Sequence, residues 1–260
     1  MQQCGQGAGE AVPAAFDGGA GGKRLETAIW DDRCNGCRKR NDVGGIEVNR
    51  EENRSLDDVI ARRRSIRAFK PEAPPQEWIE QIILAGLSAP YAGLAAKENA
   101  PYRLFRVISQ GPSMVEAQEL IRQQAKASLE QLKAEMAKNA YLRENGGAFA
   151  KRVESIADSG IPSLKEAPYF IVVAEARGIP PVEFESLAHC LENMWLKATA
   201  LGLGFQLLSV TKTLSENPRF FELLNLEFGR FLVNGCAIGY AKHVPAERRL
   251  LPVGEVTEWL

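Results

Sequence analysis

Apolar positions recur along this chain at two periods, and the alternation between them sets out a series of helices and strands. Leu56, Val59 and Ile60 share one helical face that Ser55, with Asp58 three residues on, is placed to cap; residues 62–64 form the last turn. Past Pro71, Pro74 and Pro75, which stiffen a turn, residues 77–87 repeat the helical pattern with Trp78, Ile79, Ile82, Ile83 and Leu87 on the buried side. Residues 104–109 alternate apolar and polar, the period of a half-buried strand. A long helical segment follows over 113–145, with Met114, Ala117, Leu120, Ile121, Leu129, Leu132 and Met136 on one side. Gly146-Gly147 interrupts it, and Gly160-Ile161-Pro162 ends what comes next.

Residues 167–174, Ala-Pro-Tyr-Phe-Ile-Val-Val-Ala, are rich in β-branched and aromatic side chains and signal a buried strand. Residues 183–201 carry a wide helical stripe of Phe184, Leu187, Ala188, Leu191, Met194, Trp195 and Ala198, stopped by Gly202-Leu203-Gly204. Residues 205–210 give a further strand, 219–224 a short helix after Pro218, and 231–239 a last strand.

No such periodicity reaches residues 1–50, which hold ten of the 23 glycines and three of the five cysteines. That block reads as a poorly structured Gly/Cys-rich arm ahead of one domain over residues 51–260. Within the arm, Cys34-Asn35-Gly36-Cys37 and Cys4 supply too few ligands for a four-coordinate zinc or iron–sulfur site. A cluster, a zinc half-site, a redox pair and an inert arm all stay open for Cys34 and Cys37.

Charge is balanced, 32 Lys and Arg against 33 Asp and Glu, so there is no global field to draw nucleic acid or an anionic membrane. No apolar run is long enough to span a bilayer, and residues 1–10 lack signal-peptide regions. An odd cysteine count at irregular spacing fits a reducing compartment, so a cytoplasmic protein with neither membrane nor nucleic-acid partner is expected. His189-Cys190 are helical neighbours that point about 100° apart and cannot act as base and nucleophile. With His243 the only other histidine, zinc hydrolase chemistry is excluded, and neither a GxGxxG nor a GxxxxGK[ST] loop occurs.

One stretch concentrates chemistry. Arg62-Arg63-Arg64-Ser65-Ile66-Arg67-Ala68-Phe69 sets four guanidinium groups and a hydroxyl in eight residues, a donor set matched to a phosphate. A solvated basic helix end that complements the helix dipole is the competing reading. The run Arg63-Arg64-Ser65-Ile66-Arg67-Ala68-Phe69 resembles the opening signature of the nitroreductase family of FMN-dependent oxidoreductases. Ala89-Pro90, the later Asn99-Ala100-Pro101-Tyr102, the strand opened by Ala167-Pro168 and the helix ending Ala200-Leu201-Gly202-Leu203-Gly204 are similar to that family as well. The sequence departs from the pattern in Tyr91 for Ser, Ala100 for Gln, Glu192 for Gln and a missing glycine after residue 208. The start of the cysteine arm resembles a bacterial ferredoxin repeat that lacks its later cysteines.

The resemblance implies an α+β fold with a central mixed, mainly antiparallel sheet flanked by helices, in an interlocked homodimer with FMN at the interface. It implies that Arg63, Arg64, Ser65 and Arg67 hold the flavin phosphate and ribityl chain, with Arg248 or Arg249 returning to the phosphate. Pro90, Tyr91, Ala92 and Asn99 would approach the ring and ribityl chain, and backbone at Val210 and Thr211 the N5 edge. Residues 111–165, roughly, would be the variable cap that shapes the substrate pocket. The activity implied is transfer of hydride from NAD(P)H through FMN to a small electron-poor acceptor such as a nitroaromatic or a quinone. A flavoprotein fed by ferredoxin or an iron–sulfur partner, and a non-catalytic FMN-binding or regulatory protein, are the alternatives.

Overall fold

The computed structural model describes residues 50–91 and 101–260. Strands β1 (Arg103–Ser109), β2 (Tyr169–Ala176), β3 (Gly204–Leu207) and β4 (Phe231–Gly239) form a four-stranded sheet in the order β1-β2-β4-β3, every neighbouring pair antiparallel. The parallel component is a single bridge between Ser65 and Phe205 beyond β3. β2 and β4 lie inside the sheet, with both faces covered. Their sequences therefore run apolar throughout instead of alternating.

One face of β2, with Phe170, Val172 and Ala174, packs on Met114, Ala117, Leu120 and Ile121 of α3 (Pro112–Lys138) and on Phe220 and Phe221 of α8 (Pro218–Leu223). The opposite face, with Ile171 and Val173, packs on Ile79 and Ile82 of α2 (Gln76–Leu87) and on Leu187, Leu191 and Met194 of α7 (Glu183–Ala200). Two apolar layers on one sheet make the expected α+β fold. No helix among the described residues is long and apolar enough to cross a membrane.

Three elements differ from the sequence expectation. Helix α1 (Arg50–Arg62) starts five residues before Ser55, which lies within it instead of capping it. Its apolar stripe does not enter this chain's core, since Leu56 and Ile60 are 52% and 51% exposed. The segment over 113–145 breaks at Asn139, whose extended backbone (φ −115°) lets its side chain accept from Leu142 N at 3.2 Å, so α4 (Ala140–Asn145) starts separately. After it come α5 (Gly147–Ser159) and α6 (Pro162–Glu166). The strand expected over 205–210 ends at Leu207, and Ser209–Glu216 coils into a 3-10 helix in which Thr213 Oγ1 donates to Val210 O at 2.7 Å.

Candidate functional site

The arginine-rich segment is stitched to one end of the sheet. Ile66 N donates to Phe205 O at 3.0 Å, Lys70 N to Tyr240 O at 2.8 Å, and Lys242 N returns to Ala68 O at 3.0 Å. Ile66 and Phe69 turn inward and are buried, while Ser65 and Arg67 on either side of Ile66 turn outward. The approach depends on glycine at one cross-strand pair, Gly204 opposite Gly239. A Cβ on Gly204 would lie 2.8 Å from Ile66 Cγ2, and one on Gly239 would lie 2.5 Å from Pro168 Cδ. Glu166 ties the segment's far end, accepting from Lys242 Nζ at 2.8 Å and from Phe69 N at 3.2 Å. Those two bonds, the lysine's first, hold its carboxyl below the usual range.

The arginines sort by what already satisfies them. Arg62 pairs with Asp58 one turn back at 2.7 Å. Arg64 gives Nε to Ala246 O at 3.1 Å and Nη1 to Ala61 O at 2.6 Å and to its neighbour Arg63 O at 2.9 Å, tethering residues 244–249 to the end of α1. Arg63 stacks with its guanidinium carbon 4.3 Å from the centroid of Trp195 and lies 3.3 Å from a half-exposed Glu192 carboxylate. Arg67, Arg248 and Arg249 are exposed and, like the Ser65 hydroxyl, make no hydrogen bond or ion pair with a described residue. Arg63, Arg64 and Arg248 line one open groove of about 840 Å³ beside Ile66 and Gly204.

A different arginine organises the opposite end. Arg103, the first residue of β1, faces Glu175 across the ladder and meets it with two bonds of 2.8 Å, both side chains buried. Its remaining donors reach the end of α2, at Gly86 O (2.8 Å), Ala89 O (2.9 Å) and Pro90 O (3.3 Å). Burial pushes the Glu175 carboxyl up, and the fork from Arg103 opposes it; a guanidinium this enclosed requires the carboxylate to stay charged opposite it. Tyr91 donates to Ala176 O at 3.2 Å and stacks on Tyr102 with centroids 4.5 Å apart. Burial, with Glu175 and Glu183 nearby, raises its phenol pKa.

Of the residues singled out in the sequence, Arg63, Arg64 and Arg248 share one groove, together with Asp57, Asp58, Glu192 and Glu247; Ser65 and Arg67 lie on the same segment as the first two but, like Arg249, are not in its lining. Pro90 and Tyr91 do not join them. Ser65 sits beside Phe205, level with Ile238 of β4, whereas Tyr91 reaches Ala176, level with Phe231. Those levels are seven residues apart on one strand, about 23 Å at the usual strand rise. Val210 is half-buried against the α3 side of the core. Thr211 N donates to Leu208 O at 2.8 Å, and its buried hydroxyl oxygen has no partner, as is true of Gln206 Oε1. Ala92, Asn99, Cys4, Cys34 and Cys37 lie outside the described residues. Among the described residues no three His, Cys, Asp or Glu side chains are grouped to hold a metal. Burial pushes the Cys190 thiol up to about 12, and that of Cys236 well up too, so both are inert.

Sequence reasoning missed Trp195 as more than a core residue and missed the Arg103–Glu175 pair. A lone glutamate inside Tyr-Phe-Ile-Val-Val-Ala-Glu-Ala was the signal, because a charge in a buried strand demands a partner.

This sheet, with helices on both faces and a basic segment laid along one end, defines the class. The model of the nitroreductase family matches residues 60–240, so the chain belongs to that family. Comparison with curated proteins returns no match. Among solved structures, a BluB-like flavoprotein from Clostridium difficile 630 aligns with a TM-score of 0.58 at 20% identity, over 79% of this chain and 98% of its own. A nitroreductase with bound FMN from Bacteroides fragilis aligns at 0.53 and 22%, over 79% and 98%. An FMN-dependent nitroreductase from Clostridium difficile R20291 aligns at 0.51 and 19%, over 74% and 90%.

Proposed function

We infer that this protein is an FMN-dependent oxidoreductase, carrying hydride from NAD(P)H to a small electron-poor acceptor such as a nitroaromatic or a quinone in the cytoplasm. The observation that carries this reading is a set of donors without a described partner, the Ser65 hydroxyl and the Arg67 guanidinium on a pinned backbone and the Arg248 and Arg249 guanidiniums on the segment that Arg64 tethers, in a chain of the nitroreductase family. The donor chemistry fits a flavin phosphate, since guanidinium forks match its oxygens and a hydroxyl adds a neutral bond. Arg63 would join them from its stacked position, and Arg64 would hold the carboxyl-terminal segment alongside.

Bound FMN supplies the two-electron chemistry, which no side chain here needs to perform. The chain's residues bind, orient and balance charge. Backbone near Val210 and Thr211 would face the ring, and the unpartnered Thr211 hydroxyl is a further polar contact that a ligand atom would satisfy. Pro90 and Tyr91 belong to the same reading only if a second copy brings its Arg103-braced end to the first copy's Ser65–Arg67 end. The half-exposed Leu56 and Ile60 of α1 and the exposed Leu250, Leu251 and Val253 support such a homodimer.

The test is direct. Purified protein is expected to be yellow, to take up FMN in proportion to chain, to sediment as a dimer, and to oxidise NADH or NADPH when a quinone or nitroaromatic is supplied. A colourless monomer that fails to bind added FMN removes the reading. FMN uptake without turnover reduces it to flavin binding.

A further inference from the structure

Trp195 makes more contacts than a core aromatic needs. Its indole is 9% exposed and stacks on Phe205 with centroids 5.0 Å apart and planes 19° apart. A ring stacks one group on each face, so the Arg63 guanidinium, 4.3 Å from the indole centroid, takes the other. The indole N–H is not left over either: Nε1 donates to Arg64 O at 3.2 Å. Glu192, one turn earlier on α7, lies 3.3 Å from Arg63 Nε. One helix thus holds the side chain of Arg63 from two sides and fixes the backbone that follows it, and Phe205 continues the stack to the bridge with Ser65.

We propose that Trp195 is a positioning residue that pre-stacks Arg63 for a bound phosphate, a claim that rests on the FMN reading above. An arginine in water must give up many rotamers when it grips an oxyanion, and one already laid flat on an indole gives up fewer. The stack takes the guanidinium face and Glu192 takes Nε, which leaves the Nη donors for the groove that Arg63 lines together with Arg248 and Glu192 itself. Simple packing would need only an apolar ring against Phe205. It would not need the N–H on Arg64 O or the cation on the open face.

The discriminating measurement compares FMN with riboflavin, which lacks the phosphate, on the full chain. W195F keeps a ring against Phe205 and loses the N–H; W195L also removes the face under Arg63. The FMN dissociation constant is expected to rise about threefold in W195F and about tenfold in W195L, with riboflavin changed less than about twofold. Equal losses for both flavins, or no loss for FMN, overturn the proposal. R63A combined with W195L is expected to bind FMN no worse than R63A alone, and additive losses would also overturn it. A readout free of any flavin is the Arg63 guanidinium resonance of the unliganded chain, identified by its loss in R63K and expected upfield-shifted by the indole ring, less so in W195F, and at its unstacked position in W195L. A wild-type resonance at its unstacked position defeats the positioning role even if the chain binds no flavin, the separate result that would defeat the FMN reading.

Discussion

Two arginine sites at opposite ends of one sheet show how the same side chain serves two ends. Arg103 is enclosed and saturated, with two bonds to Glu175 and three to the carbonyls that finish α2. The Ser65–Arg67 segment is equally well pinned through its backbone, yet Arg67 points outward without a described partner. Saturation marks a group that holds structure, and a rigid backbone with unsatisfied donors marks a group held ready for something else. That contrast separates the brace from the binding site more clearly than residue type does, because both ends are built on arginine.

Breaking the brace should have the largest effect. R103A leaves Glu175 buried and unpaired and removes the side-chain donor of the Ala89 and Pro90 carbonyls, so denaturant unfolding should show a loss of about 3–5 kcal/mol. Removing Glu175 as well, as R103M/E175L, should restore much of it, because an apolar pair of similar volume carries no buried charge. The opposite pattern is expected at the other end. R67A should leave stability within about 0.5 kcal/mol of wild type. It should weaken FMN binding about ten- to a hundredfold, the worth of a bond to a charged group. G204A tests the pinning itself: its methyl would press on Ile66 and is expected to cost about 1–3 kcal/mol, read from thermal unfolding.

The smallest effect concerns pH. Glu166 ionises more readily in the folded state, so its support for the segment is present above the ordinary carboxylate range and is lost as pH falls through its own, lower value. The protection of the Phe69 amide against hydrogen exchange, relative to its intrinsic rate at each pH, should therefore fall in acid in the wild type, and E166Q should flatten that dependence.

Long apolar runs made parts of this fold legible. The strand expected over 231–239 coincides with β4, and the helix over 183–201 differs from α7 by one residue, because both carry unbroken periodicity. The stripe of Leu56 and Ile60 on α1 was legible as an apolar face but its exposure was not, because a pattern tells which side is apolar and not what lies against it. Asn139 was invisible inside good helix formers until its side chain was seen capping Leu142 N. The basic octet was readable as a phosphate-type site, but the sorting of its arginines was not. It turns on the carbonyl of Ala246, 182 positions away from Arg64, and on an indole from another helix. Arg103 escaped notice because it follows Pro101 and Tyr102, residues that read as loop, while its partner sits in another strand.

The stacked rings of Tyr91 and Tyr102 have a consequence for how this protein can change. The two ends of the 92–100 segment are held close together, with Arg103 bracing Pro90 on one side and β1 beginning on the other. For a connector whose two anchors already touch, doubling its length costs only about 0.6 kcal/mol in closure entropy. A change in the length of the 92–100 segment is therefore expected to cost little in closure entropy while strand register and both core layers stay as they are.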